Sequence, residues 1–248
     1  MLTPGNRKLG DKLIWGFGLP SGRADLCSGM TALCRQHCYA RRLERYRPHV
    51  RKHYERNYRL SQRPDFEHRL YHFLLAFDIR VVRLHTGGEF YSPTYAAKWL
   101  RLVRRLPQIR FFCYSRAWRE PAIRPLLERL ARQPNFRLWY SCDRQTGLPE
   151  RVPPRVRLAW LMTDEKDQPP RQASLVFRVV RLRRRRQRRL RQVRVCPAED
   201  GVPRKKPVTC ERCGLCWSPL PEDAPARLPL PVLPAVPIDD SPSPVSSS

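Results

Sequence analysis

Seven of the nine cysteines fall into two arrays whose spacing could do chemistry. The first is carried by "LCSGMTALCRQHCYARR", which sets Cys27, Cys34 and Cys38 in a C-x6-C-x3-C pattern. The second is Cys196 followed by "CERCGLC", with Cys210, Cys213 and Cys216 in two overlapping C-x2-C units. Four thiolates suit tetrahedral zinc and equally suit an iron–sulfur cluster, and Gly214 permits the tight backbone of such a knuckle. The first array supplies only three. On a four-iron cluster that leaves one iron without a protein ligand, open to a substrate or cofactor, as an incomplete ligand set marks a catalytic zinc. A zinc reading would recruit His37, but a side chain adjacent to Cys38 is awkwardly placed for the same ion. Cys113 and Cys142 sit inside strand-like runs and read as small buried hydrophobes.

The N-terminal segment has no signal-peptide pattern, and no run approaches the ~18 apolar residues that span a bilayer. A cytoplasmic protein without membrane attachment is expected, and in that reducing setting metal binding outranks disulfides for an odd number of cysteines. The formal charge of +27, nearly all of it arginine, attracts polyanions, of which nucleic acid is the commonest. The competing account is an arginine-rich composition spread over solvated faces.

The elements that must position the cysteines follow from periodicity. Short apolar runs rich in β-branched and aromatic residues predict strands at 12–20, 79–87, 109–116, 136–142, 156–162 and 174–180. Between them lie helical patterns. One opens at Ser92 as N-cap with Pro93 at the first helical position, one runs through Ile123–Leu130, and a longer region at 44–77 is broken by Pro48 and Pro64. Alternating strand and helix imply a parallel α/β sheet over 1–195, either an open doubly wound sheet or a partial (β/α) barrel, and the second cysteine array marks a separate module at 196–217. Chemistry then belongs at the carboxyl ends of the strands. The three-cysteine loop, "HTGGEF", "CYSRAW" and "SCDRQTG" all fall there. Two segments stand outside this scheme: an insertion at 178–194 with ten arginines in seventeen residues, suited to a polyanion, and a Pro/Ser-rich tail at 218–248, expected to be disordered.

A three-cysteine loop after the first core strand and a Gly87-Gly88-Glu89 turn after the second resemble the radical S-adenosylmethionine architecture. That resemblance implies a [4Fe–4S] cluster on Cys27, Cys34 and Cys38 whose open iron takes S-adenosyl-L-methionine, with Gly87, Gly88 and Glu89 against the cofactor's amino group and an electron donor as partner. Arg116 and Asp143, each near a strand end, are candidates for its ribose or carboxylate. As an ordered set, "GLPSG", "CYA", "HTGGEFYS", "CYSRAW", "CPAED" and "CERCGLCW" resemble the phage and plasmid gene product 88 family over about residues 5–217, which implies an α/β fold with a partial TIM-like (β/α)6 barrel and a C-terminal cysteine-rich metal-binding module. The second array would be a further [4Fe–4S] cluster or zinc. The expected function is reductive cleavage of S-adenosylmethionine to act on an unidentified substrate, nucleic acid being the first to test. The alternative is a non-enzymatic zinc-binding, nucleic-acid-binding protein of a phage or plasmid.

Overall fold

The computed structural model describes residues 1–6, 8–179, 182, 193–199, 206 and 208–218. Most of the arginine-rich insertion and all of the tail beyond Ser218 lie outside the described residues. A seven-stranded sheet in sequential order forms the frame. Strand β1 (Thr3–Asn6) pairs antiparallel with β2 (Gly10–Phe17), and parallel pairing then runs through β3 (Val81–Leu84), β4 (Arg110–Ser115), β5 (Phe136–Cys142), β6 (Arg157–Met162) and β7 (Leu175–Arg178). The six parallel strands coincide with the six apolar runs. β1 was not expected, because "TPGN" carries turn residues; it pairs as an edge strand with an irregular register, where proline is tolerated.

Helices fill the first three parallel connections on one side, while turns and loops alone join β5 to β6 and β6 to β7, so the expected (β/α)6 repeat is incomplete. Between β2 and β3 lie α1 (Ala32–His37), α2 (Tyr39–Tyr46), α3 (Pro48–Gln62) and α4 (Phe66–Ala76). The break before α3 falls at Pro48, which becomes its first residue, and Pro64 separates α3 from α4. Helix α5 (Pro93–Arg105) follows β3, and Ser92 caps it by accepting the Tyr95 N–H. Helix α6 (Arg124–Ala131) follows β4.

The period-2 alternation of each strand divides two cores. Val82, Leu84, Phe111, Cys113, Leu138, Tyr140, Leu158 and Trp160 face the helices and pack on Leu70, Trp99, Leu127 and their neighbours. Ile14, Val81, Phe112, Trp139, Ala159 and Leu175 form the opposite face, which no helix of the βα series covers. Cys196 and Cys216 cover it instead. The chain reaches that face alongside β7, where Val195 bridges Val176 and the Cys196 N–H donates to the Val176 carbonyl at 2.9 Å.

Candidate functional site

The three-cysteine loop is held by each of the other motif loops in turn. The "SCDRQTG" loop after β5 takes its middle: the Thr31 hydroxyl donates to Asp143 Oδ2 at 2.8 Å, and the Leu33 N–H donates to Gln145 Oε1 at 2.9 Å. Thr31 also caps α1 by accepting the Cys34 N–H, so Asp143 fixes the helix that carries Cys34. The "CYSRAW" segment after β4 takes the Gly29 turn, where the N–H donates to Glu120 Oε1 and the carbonyl accepts from Arg119 Nη1, both at 3.0 Å. Gly29 has φ +73°, and a Cβ there would lie 2.1 Å from the Arg116 carbonyl oxygen, so no other residue fits without moving the loop. The "HTGGEF" turn after β3 takes the end of the loop through Tyr39, whose hydroxyl donates to the Thr86 carbonyl at 2.6 Å.

The same turn packs against "GLPSG". The Leu19 N–H donates to the Gly87 carbonyl at 2.8 Å, and the Gly88 N–H donates to Ser21 Oγ at 3.1 Å. A Cβ on Gly87 would sit 2.6 Å from Ser21 Oγ. Within the chain, these glycines serve close approach of one backbone segment to another.

Together these loops enclose a cavity of about 450 Å³. Cys27, Cys34 and Cys38 line it, with Gly87, Gly88, Glu89 and Arg116. Toward the sheet it is lined by Lys8, Arg83, Tyr114, Leu161, Phe177 and Glu199. Asp143 is fully buried behind Arg116, outside the lining; it pairs with Arg116 Nη1 at 2.8 Å.

Glu89 lines the cavity with both carboxylate oxygens engaged. Oε1 accepts from the Phe90 N–H at 2.8 Å and from Ser115 Oγ at 3.0 Å, while Oε2 accepts from the Arg116 N–H at 2.6 Å. Burial nevertheless pushes its pKa up to about 7, against those three donors. His85 stands 3.8 Å from Glu89 and contacts the Tyr95 hydroxyl through Nε2 at 3.1 Å. Burial pushes its pKa down to about 3, so the ring is neutral near pH 7. Desolvation raises Cys27 to about 12 and also raises Cys34, the latter against the opposing pull of Arg116. A metal that binds these thiols must displace their protons.

Cys196, Cys210, Cys213 and Cys216 line a second pocket of about 10 Å³, walled by Leu175, Val208 and Leu215. The helical turn Cys210–Cys213 is capped by Thr209 and closed by Gly214 at φ +70°. It docks on the β1–β2 turn, where the Cys210 N–H donates to the Lys8 carbonyl at 2.8 Å and the Glu211 N–H donates to the Leu9 carbonyl at 2.9 Å. Trp139 Nε1 donates to the Cys216 carbonyl at 3.0 Å, and Arg137 Nη2 donates to the carbonyl of Ser218. Ser218, assigned to the tail by composition, therefore belongs to the knuckle. Among the described residues, no three or more His, Cys, Asp or Glu side chains gather around one point as a single ion requires.

Sequence reading missed Lys8, Arg83, Tyr39, Tyr114, Phe177 and Glu199 as cavity residues. A signal was present for Arg83: it is the one charged residue within β3 and shares parity with Val81, away from the helices. No helix among the described residues is long and apolar enough to cross a membrane.

Fold and site define a mixed α/β protein with a thiol-lined cavity at the carboxyl ends of a mostly parallel sheet. The chain matches the family described as Gene product 88 over residues 1–219, and it belongs to that family. It is similar to the "Gene 88 protein" of Mycobacterium phage L5, 33% identical over 138 residues, and to that of Mycobacterium phage D29, 30% identical over the same length. Each match spans 51% of this chain and 56% of the relative, so little more than half of either relative is covered. No solved structure matches.

Proposed function

We propose that this chain is an iron–sulfur protein of radical S-adenosylmethionine type, with its reaction centre in the cavity at the strand carboxyl ends. The observation that carries the reading is the meeting of Cys27, Cys34 and Cys38 with the Gly87–Glu89 turn around one space of about 450 Å³. Three thiols that line one cavity suit a cluster, which places each thiolate on its own iron. The six sequential parallel strands with helices on one face accord with a partial TIM-like (β/α)6 barrel. A reduced cluster and free thiols suit the cytoplasm.

When bound, such a cluster supplies the electron that splits S-adenosylmethionine reductively, and an external donor must restore that electron. The chain's own residues do the positioning. Asp143 holds Arg116 by one guanidinium nitrogen and Thr31 by its hydroxyl, which orients Cys34 and leaves Arg116 lining the cavity for the cofactor carboxylate. Glu89 meets the cofactor ammonium with a carboxylate that three donors hold fixed. Cys196, Cys210, Cys213 and Cys216 take a second metal centre, zinc or another cluster, that fastens the C-terminal knuckle to the sheet. The charge of +27 makes nucleic acid the first substrate to try.

Iron, sulfide and zinc measured per chain on anaerobically purified protein test this reading, beside a Cys27/Cys34/Cys38 triple-alanine variant. About four irons and four sulfides lost in the variant is the expected result. Zinc without iron in the parent protein sinks the radical reading and leaves a zinc-binding, nucleic-acid-binding protein.

A further inference from the structure

Among the described residues, several charges along the cavity cancel in pairs. Lys8 Nζ is bonded to Glu199, Arg116 to Asp143, and the Glu89 carboxylate accepts three protein donors. Arg178 is engaged, and Arg42 stands exposed at the rim. Arg83 differs. It projects from the middle of β3 on the cavity side, and among the described residues no carboxylate pairs with it. One nitrogen, Nη2, donates to the Tyr39 hydroxyl at 3.0 Å. The guanidinium lies 5.7 Å from the centre of the Tyr114 ring. Nε is enclosed and has no hydrogen-bond partner. A buried N–H without an acceptor costs about 1–3 kcal/mol, and more when it belongs to a charged group. An arginine that makes a single hydrogen bond keeps further donors for the oxygens of a carboxylate or phosphate.

We infer that Arg83, with Tyr39 and Tyr114, forms a binding site for the terminal oxyanion of a small molecule, a carboxylate or a phosphate monoester, on the sheet side of the cavity. The inference names the substrate class of the proposed reaction cavity and rests on that cavity being the ligand site. Phe177 packs edge-on to Tyr114 at 5.0 Å, and Leu161 lies beside it in the lining, so the wall next to the cation is apolar and takes the ligand's body. A volume of about 450 Å³ is that of a small-molecule site. A phosphodiester must continue on both sides of its phosphate. A terminal oxyanion needs room on one side only, so the rest of the molecule can point back toward the thiols.

The test is calorimetric titration of the full chain, purified anaerobically, with benzoate, phenyl phosphate, neutral benzamide and an eight-nucleotide single strand. The proteins are the parent, Arg83→Gln, Arg83→Lys and the rim control Arg42→Gln. The expected result is that at least one small anion binds the parent and Arg42→Gln at least tenfold more tightly than Arg83→Gln, with Arg83→Lys between them and benzamide indifferent to the substitution. If Arg83→Gln does not fold, by circular dichroism, Arg83→Lys alone carries the comparison, with a loss of threefold or more expected. Equal affinity for parent and variant, or no binding of either anion to the parent, overturns the assignment. Arg83-dependent binding of the oligonucleotide alone replaces it with a nucleic-acid site. Iron measured on the same parent protein separates the two claims: Arg83-dependent anion binding by a parent that holds no iron overturns the cluster and leaves the oxyanion site standing, whereas iron in the parent without anion binding overturns the oxyanion site alone.

Discussion

The two cysteine sites use one donor type in opposite settings. At the carboxyl ends of the strands, three thiols line about 450 Å³ of space shared with charged groups. On the inner face of the sheet, four thiols line about 10 Å³, room for about one water-sized sphere, among apolar walls. Three donors beside free volume leave room for a reacting molecule, whereas four donors around almost none leave room only for what they bind. The hydrogen bonds follow the same division. The first loop is held through side chains of two other loops and through the Tyr39 hydroxyl on the Thr86 carbonyl, which fixes the thiols without filling the cavity. The second is held mainly through backbone pairing with the β1–β2 turn and through the Trp139 indole, which fills the face.

The sharpest way to break this comparison is to remove thiols from each side. The proposed second metal centre requires that replacing Cys210 and Cys213 together with alanine lower the melting temperature by about 10 °C or more and release metal, because a structural site contributes folding energy directly. The Cys27/Cys34/Cys38 triple-alanine variant should melt within a few degrees of the parent and lose only the first centre. Equal thermal losses, measured by scanning calorimetry, would erase the distinction. Next in size is Asp143→Asn, which leaves the Arg116 guanidinium buried without its carboxylate and should cost about 3–5 kcal/mol in urea unfolding. Metal content should fall at the first site and hold at the second.

A smaller effect concerns Glu89. Its pKa of about 7 in the folded protein stands above the ordinary 4.5, so between those values the folded state holds a proton that the unfolded state has released. Its contribution to stability is therefore full below about pH 4.5 and is lost as pH rises toward 7, by up to about 3 kcal/mol. The stability difference between the parent and Glu89→Gln should shrink across that window, and a constant difference would refute the shift. His85 works in the other sense, since a depressed pKa removes stability as pH falls below 6.5, which is why the comparison is made against the glutamine variant. The smallest effect expected is Trp139→Phe, which deletes the indole bond to the Cys216 carbonyl and should cost about 1–2 kcal/mol while leaving the first site intact.

Much of the frame was legible because its signals are local. Alternating apolar residues, the Ser92 cap and the proline at 48 each act within a few residues, and the strands and helices stand where those signals put them. The placement of unusual residues after strands was legible too, since a parallel sheet collects its connecting loops at its ends. Other features needed the fold. Thr31 and Asp143 are 112 residues apart, and Lys8 and Glu199 are 191 apart. No periodicity in the chain couples such positions, because their contact follows from the order of strands across the sheet. For the same reason the sequence could name Asp143 as a site residue without revealing that it stands behind Arg116, and could place Arg83 in a strand without revealing that its side faces a cavity. By itself the sequence determined the order of the six parallel strands, the two cysteine arrays and the family. The tertiary structure decided which loops meet, which face the C-terminal knuckle covers and which cation, Arg83, has no carboxylate partner among the described residues, because these depend on contacts that close only when the sheet forms.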